Sequence, residues 1–404
     1  NINITVVEKE GIANGEELNQ ILSGEFKESK TYQRSAKSLF EEGTNYIRIG
    51  DQSEDSKKGK LLKILNDIKG QGVPINKYFN VEQGIVSGAD KVTNKHLKTY
   101  SGNWQKDEGI YVLSVPEAKT LLRKDASVKQ YIKSTYKNSD IDKWYFHPIN
   151  KIFVIYIKSR GLAPNYPLAI TDHLDRYKPI LINRNIRKGK ITVNEYDSFV
   201  KGNLKVSYIM NAASMQKGNY YCLSYARNGM DTFEKDKIVN SRRAKSNVFS
   251  LEDRGYYEQS DIVVTTLKNE RNNPFSIQYT LGLLNSKLYY HWFYLWGKRK
   301  GETLELFQKP ITEVYVKKPN DKQRIVTELL VKAILYNKSI NKELELFEKI
   351  LNGVVIELYF YSHMKERRID VLEFVDRDIK KALQDQEFDN LDDVEKEEVI
   401  EQLH

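Results

Sequence analysis

The chain has 404 residues, a formal net charge of +9, 40% hydrophobic and 29% charged residues, 26 tyrosines and one cysteine. Such a length predicts two or three cored units, and the composition excludes a disordered, collagen-like or disulfide-stapled chain. No apolar run approaches the roughly 18 residues of a membrane span, and the first residues lack the basic and apolar regions of a secretory signal, so a reducing bacterial cytoplasm is the expected location.

The charge is unevenly placed. Asn320 to His404 carries 13 Lys+Arg against 20 Asp+Glu, so the first 319 residues hold a net +16. A basic body with aromatic and amide side chains suits a polyanion, because Lys and Arg displace counterions condensed on phosphates.

In chain order, residues 1–50 read as a connector: a strand at Ile2 to Val7, helical Glu16 to Leu22, then a polar stretch. A start in strand-like sequence without methionine is expected of a cut through a longer polypeptide. Gly50 to Gly59 reads as a loop by composition. Lys60 to Lys69 predicts a short amphipathic helix with Leu61, Ile64, Leu65 and Ile68 on one face. Tyr78 to Val86 alternates like a strand, and Gly84, Gly88 and Asp90 mark the turn after it. Ser114-Val115-Pro116-Glu117 is a capping box with proline in the first turn, opening a helix expected to run to about Ser134. Strands are expected at Ile152 to Lys158, Asp236 to Asn240 and Asp261 to Thr266. Ile277, Leu281, Leu284, Leu288, Trp292 and Leu295 predict one core helix over Ser276 to Trp296. Asn320 caps another long helix, with near-heptad apolar spacing from Ile325 to Leu351. Asp385 to Glu401 predicts an acidic, solvated final helix.

The expected fold class is therefore α/β in the mixed α+β sense. A recognition body with a mixed sheet occupies residues 51–319, followed by a helical C-terminal segment over residues 320–404.

Familiar catalytic constellations are missing. An amino-methyltransferase acting on an extruded adenine needs an Asx/Ser-Pro-Pro-aromatic turn, and none of the nine prolines is adjacent to another. Asn272-Asn273-Pro274-Phe275 comes closest, without the second proline. Gly84 to Lys91 lacks the Gly-Lys-Ser/Thr ending of a phosphate loop. Six scattered histidines and Cys222 offer no zinc spacing, and no nucleophile elbow or Pro-Asp nuclease motif occurs. No catalytic residue and no metal site is expected.

Four segments carry a resemblance. Val81-Glu82-Gln83-Gly84-Ile85-Val86-Ser87-Gly88-Ala89-Asp90-Lys91-Val92 comes first, and Tyr136-Lys137-Asn138-Ser139-Asp140-Ile141-Asp142-Lys143-Trp144 second. Tyr220-Tyr221-Cys222-Leu223-Ser224-Tyr225-Ala226-Arg227-Asn228 with Phe233 to Val239 is third, and Tyr279 to Leu288, around Leu283-Leu284-Asn285-Ser286-Lys287-Leu288, is fourth. Together, over about Val81 to Pro319, they resemble the TaqI-like C-terminal specificity domain, the target-recognition region of adenine methyltransferases and Type IIG restriction enzymes. Cys222, Ser224 and Ala226 depart from the Glu, His and Pro common there, so base preference does not carry over.

The resemblance implies a division of labour. An N-terminal methyltransferase domain or subunit would bind S-adenosylmethionine, with magnesium as a further expectation, and flip an adenine; this chain, holding no cofactor, would grip double-stranded DNA and choose the sequence. Gln83 could bracket adenine through its amide, with Gly84, Ser87 and Gly88 letting backbone approach the duplex, or simply end a strand. Asn138, Ser139 and Asp140 are DNA contacts or an ordinary turn. Tyr221 and Ser224, in the third segment, are candidate DNA contacts, Tyr221 as a base-stacking ring or simply a packing residue. Arg227 is a guanine or phosphate contact, or a surface ion pair. Arg242, Arg243 and Lys245, and likewise Lys298, Arg299 and Lys300, are phosphate contacts or solvated charge runs. Three other expectations remain open: a phage-defence methyltransferase without nuclease, a self-sufficient enzyme, and a protein-interaction scaffold using the near-heptad helix.

Overall fold

A computed structural model describes residues 57–158, 165–184, 191–201, 219–227, 230–384 and 386–403, together with the short strands Ile12–Ala13 and Arg34–Ser35. Two compact units result, Asn1–Asp67 and Ile68–His404. In the first, the two short strands pair antiparallel, Ile12 opposite Ser35. Apart from that pair, the expected connector and the loop up to residue 56 lie outside the described residues. Helix α1 (Lys57–Gln71) crosses the boundary between the units. It begins inside the stretch expected to be loop, because Lys57 and Lys58 continue the helical turn.

The second unit is built on small antiparallel sheets. Strand β1 (Phe79–Gln83) follows α1, then β2 (Val112–Ser114), helix α2 (Val115–Lys124), β3 (Ile132–Thr135) and β4 (Ile152–Ile155). Helices α3 (Leu168–Asp175), α4 (Lys178–Asn183) and α5 (Val193–Val200) come next. Strands β5 (Lys237–Ser241), β6 (Arg243–Ala244), β7 (Ser250–Glu252) and β8 (Ile262–Leu267) then precede helices α6 (Ile277–Asn285) and α7 (Lys287–Leu295). A hairpin of β9 (Lys298–Lys300) and β10 (Thr303–Glu305) leads to four C-terminal helices: α8 (Asp321–Ser339), α9 (Glu345–Glu366), α10 (Leu372–Leu383) and α11 (Asp393–Leu403).

The central sheet has the order β7-β5-β8-β1 and is antiparallel throughout. Its middle strands are β-branched, apolar runs, as strands covered on both faces require; Ile238, Val239, Ile262, Val263 and Val264 are all buried. A second sheet, β2-β4-β3, shares its core with α2 to α4 through Leu113, Val154, Ile155, Ile170 and Leu181. The mixed helix-and-sheet fold is as expected. Parallel pairing is confined, among the described residues, to isolated bridges such as Ile85 with Gln259.

Three expected helices are shorter than their periodicity suggests. The helix opened by the Ser114/Glu117 box ends at Lys124, because Asp125 takes the Ser127 amide at 2.9 Å and the chain re-enters a sheet as β3. The expected Ser276 to Trp296 helix is two helices. Ser286, extended at φ −72° and ψ 158°, separates them and caps α7 through the Tyr289 amide. The near-heptad helix from Asn320 is likewise two, since α8 stops at Ser339 and Asn341 takes the left-handed φ of +58° before α9 starts. In each pair apolar spacing continues across the break because both helices bury into the same core, and α6 packs on α8. The final helix starts at Asp393, after a 3-10 turn at Phe388–Asn390 that buries Phe388. Among the described residues no helix is long and apolar enough to cross a membrane.

Candidate nucleic-acid interface

One end of the central sheet gathers the segments singled out in the sequence. Gln83 ends β1 opposite Val263 of β8, and Ser241 ends β5 opposite Ile262. The Gln-Gly turn is clamped there: Gly84 N donates to Ile262 O at 2.9 Å, and Ile85 N to Glu258 O at 2.8 Å. A Cβ at residue 84 would lie 2.1 Å from Gln259 O and 2.5 Å from Glu258 O, so no side chain fits. Gly88 has a φ of +81°, a conformation that glycine adopts without steric cost. Ser87 Oγ accepts from Ala89 N at 3.1 Å and bonds Asp90, closing the turn on itself.

The third segment lies directly against the first. Val86 and Tyr225 form an antiparallel bridge, and Ser224 Oγ donates to Ser87 O at 3.3 Å. Arg227, left-handed at φ +59°, donates from Nε to Gly84 O at 3.2 Å and from Nη2 to Gln83 Oε1 at 3.3 Å. The other end of the Gln83 amide donates to Ser260 O. Tyr221 hydroxyl donates to Asp175 at 2.8 Å, and Tyr220 hydroxyl bonds the same carboxylate. Beneath them, Arg184 Nη1 donates to Ser87 O at 2.8 Å, and its Nη2 donates to the Tyr220 and Cys222 carbonyls. Arg184 thus ties the two segments together. Nothing in its sequence surroundings singled it out, since its partners are main-chain carbonyls distant in sequence.

The second segment reaches the same sheet end. Asn138, Ser139 and Asp140 form a 3-10 turn in which Asp140 takes the Lys137 amide at 3.1 Å, while Ser241 Oγ donates to Asn138 O at 3.0 Å. Asp140 therefore caps its own turn, and Ser139 is exposed.

Both basic clusters meet in one small sheet. Its order is β9-β10-β6, with Lys298 and Arg243 on opposite sides of Glu305. Glu305 is 4% exposed, and it pairs with Lys298 at 3.0 Å and Arg243 at 3.1 Å. Against burial, which would raise it, these two cations hold the Glu305 carboxyl below its usual range. Arg242, Arg243 and Lys298 lie 5.2, 5.5 and 5.8 Å from the centre of the Phe307 ring, and Arg299 lies 3.9 Å from that of Tyr294. Lys245, Arg299 and Lys300 are exposed. Arg242 links the sheets: its amide donates to Asp261 O at 3.2 Å, and its carbonyl accepts from Leu306 N at 2.9 Å. Sequence reasoning missed Glu305 and Phe307, which gain meaning only once β6 and β10 pair.

Under this surface lies a buried polar cluster. Lys237, Glu252 and Glu258 have fully buried side chains, with Lys237 bonded to Glu252 and 3.6 Å from Glu258. Tyr136 hydroxyl donates to Glu258 at 3.2 Å. Burial pushes the Glu258 carboxyl up to about 8; Lys237 opposes the shift and the Glu252 charge adds to it. Lys237 thus serves two acids, and Arg254 Nε lies 3.6 Å from Glu252, the first of them. The main chain of Glu258 is also the clamp on Ile85.

The Asn272 to Phe275 turn is structural. Asn273 Nδ2 donates to Tyr78 O and Lys268 O, both at 2.8 Å, and its Oδ1 accepts from Phe275 N. Among the described residues no group of three or more His, Cys, Asp or Glu side chains could hold a metal ion.

Residues 178–314 match the sequence model of the TaqI-like C-terminal specificity domain. A curated relative, the Type II methyltransferase M.HincII of Haemophilus influenzae, is 26% identical over 270 residues, covering 62% of this chain and 52% of the relative. The chain thus spans about half the length of that relative. Among solved structures, the Type IIL restriction–modification enzyme MmeI in complex with DNA aligns with 75% of this chain and 36% of its own, at 13% identity and a TM-score of 0.47. The matched residues include the third and fourth segments, and the first and second are joined to the third through the sheet end. Residues 178–314 are thus similar to a TaqI-like C-terminal specificity domain.

Proposed function

We propose that this chain is the sequence-reading part of an adenine-N6 DNA methyltransferase or Type IIG restriction–modification enzyme, and that methyl transfer is performed by a domain or subunit outside it. The observation that carries this reading is the meeting of the Gln-Gly turn, Arg227, the Asn138 turn and both basic clusters around one end of the central sheet. Phosphate contacts from the basic sheet would fix register on the duplex, while side chains at the sheet end would meet base edges. The match to a specificity domain and the likeness to a Type II methyltransferase support it.

The Gln-Gly turn does not fit S-adenosylmethionine. The Gln-Gly turn that follows β1 is closed by the Glu258 and Gln259 carbonyls, leaving no cradle at Gly84. The methyl donor belongs, in this reading, to the partner domain, and this chain's residues bind and orient the duplex.

The test is duplex binding by the chain joined to its methyltransferase part. Binding should weaken steeply with salt, and labelled methyl groups should appear on adenine N6 within one short sequence. Binding that ignores salt and sequence would refute the recognition role. Methylation of cytosine would refute the adenine assignment alone.

A further inference from the structure

Two guanidiniums at the sheet end, Arg227 and Arg242, have no carboxylate within ion-pair distance among the described residues, although Glu82 acts on Arg227 and Asp261 interacts with Arg242. Both are half-buried. Burial lowers the Arg227 pKa, and the Arg242 charge adds to that against the pull of Glu82. A guanidinium partly stripped of water, with a like charge acting on it, is unfavourable in the free protein. Acceptor atoms from outside relieve that cost.

The arrangement also defines what Gln83 does. Its Oε1 accepts from Arg227 Nη2, and its Nε2 donates to Ser260 O. Gly84 O takes Arg227 Nε, and the Tyr225 ring lies 5.5 Å from the guanidinium. Arg227 is thereby fixed on two sides, with its Nη1 unbonded among the described residues. A guanidinium held in this way presents a planar fork for two adjacent acceptors.

We propose that Gln83 is a positioning residue for Arg227, and that Arg227 binds adjacent acceptor atoms on the duplex, either N7 and O6 of a guanine or the oxygens of a phosphate. The inference rests on the DNA-recognition reading and assigns Gln83 the task of presenting another side chain in place of bracketing adenine itself.

The experiment measures binding of the chain, joined to its methyltransferase part, to a pool of duplexes varied one base pair at a time. The variants are Gln83→Met, Gln83→Glu, Arg227→Ala, Arg227→Lys and the double Gln83→Met/Arg227→Ala, each checked by thermal melting. For a guanine edge, Arg227→Ala should lose about 10- to 100-fold discrimination at one base pair, and Arg227→Lys nearly as much. For a phosphate, Arg227→Ala should weaken all duplexes alike and lower the salt slope by about 1, while Arg227→Lys keeps most binding. In either case Gln83→Met should alter the same property, and the double variant should be no worse than Arg227→Ala. Gln83→Glu retains an acceptor for Arg227 and should keep more of that property than Gln83→Met. Additive losses, or losses at different base pairs, would overturn the proposal. A wild-type protein with no preference among duplexes would instead refute the recognition reading beneath it.

Discussion

The sheet end and the C-terminal helices use the same basic side chains in opposite ways. In the helices many cations have a carboxylate nearby: Lys322 pairs with Glu373 at 2.9 Å, Arg324 with Glu328 at 3.3 Å, Lys338 with Asp142 at 2.6 Å and Lys342 with Glu397 at 2.8 Å. Around the central sheet, Arg227 and Arg242 have no carboxylate within ion-pair distance among the described residues, and Lys298 shares Glu305 with Arg243. Charge balanced within the fold has little field left for a ligand, whereas charge left unbalanced at a sheet end attracts acceptors from outside. On the proposed reading, the uneven charge of the sequence is the coarse trace of a division between cations that hold the fold and cations that would face a ligand.

The sharpest way to break that comparison is at Lys237, a cation wholly committed to the interior. Lys237→Ala removes the buried cation bonded to Glu252, leaving that carboxylate only Arg254 at 3.6 Å, and should cost about 3–5 kcal/mol of stability in chemical denaturation. A protein as stable as wild type would mean that the cluster is not a buried ion pair. Glu258 gives the companion test. Its folded pKa, about 8, lies above the unfolded value, so the native state holds its proton longer than the unfolded one. The associated stability is fully present below the unfolded pKa and is lost as pH rises through about 8. Denaturation midpoints should therefore fall between about pH 5 and pH 9, and Glu258→Gln should flatten that decline.

A third test addresses the outward cations. Replacing Lys298, Arg299 and Lys300 together with alanine should leave melting nearly unchanged, while the slope of log affinity against log salt falls by about 1 for each phosphate contact removed. A large drop in melting temperature with an unchanged slope would place the hairpin among the fold-holding cations instead. The smallest effect is expected at Lys342, whose ion pair with Glu397 is 44% exposed on both sides. Lys342→Ala should leave both melting and duplex binding at wild-type values.

What was legible in the sequence follows the range of the interactions. Local signals read well: the Ser114/Glu117 and Asn320/Gln323 boxes both form, and the β-branched runs at β5 and β8 are strands. Helix breaks were hidden because apolar periodicity reports which side is buried, and the same side stays buried across Ser286 and Asn341. At the candidate site the motif residues were visible, yet their meeting was not. Arg243 and Lys298 come together only through β10, and Arg184 acts on main-chain carbonyls. Non-local pairing leaves no periodic mark in a sequence.

The tight seat of Gly84 against the Glu258 and Gln259 carbonyls bears on how such a chain diversifies. A loop whose backbone is pinned at a residue without a side chain cannot drift when its neighbours are exchanged. Substitutions at Ser224, Tyr225 or Arg227 would then change the chemical surface offered to a ligand while its mounting stays still. New target preferences could arise through single replacements, without the frame being rebuilt each time.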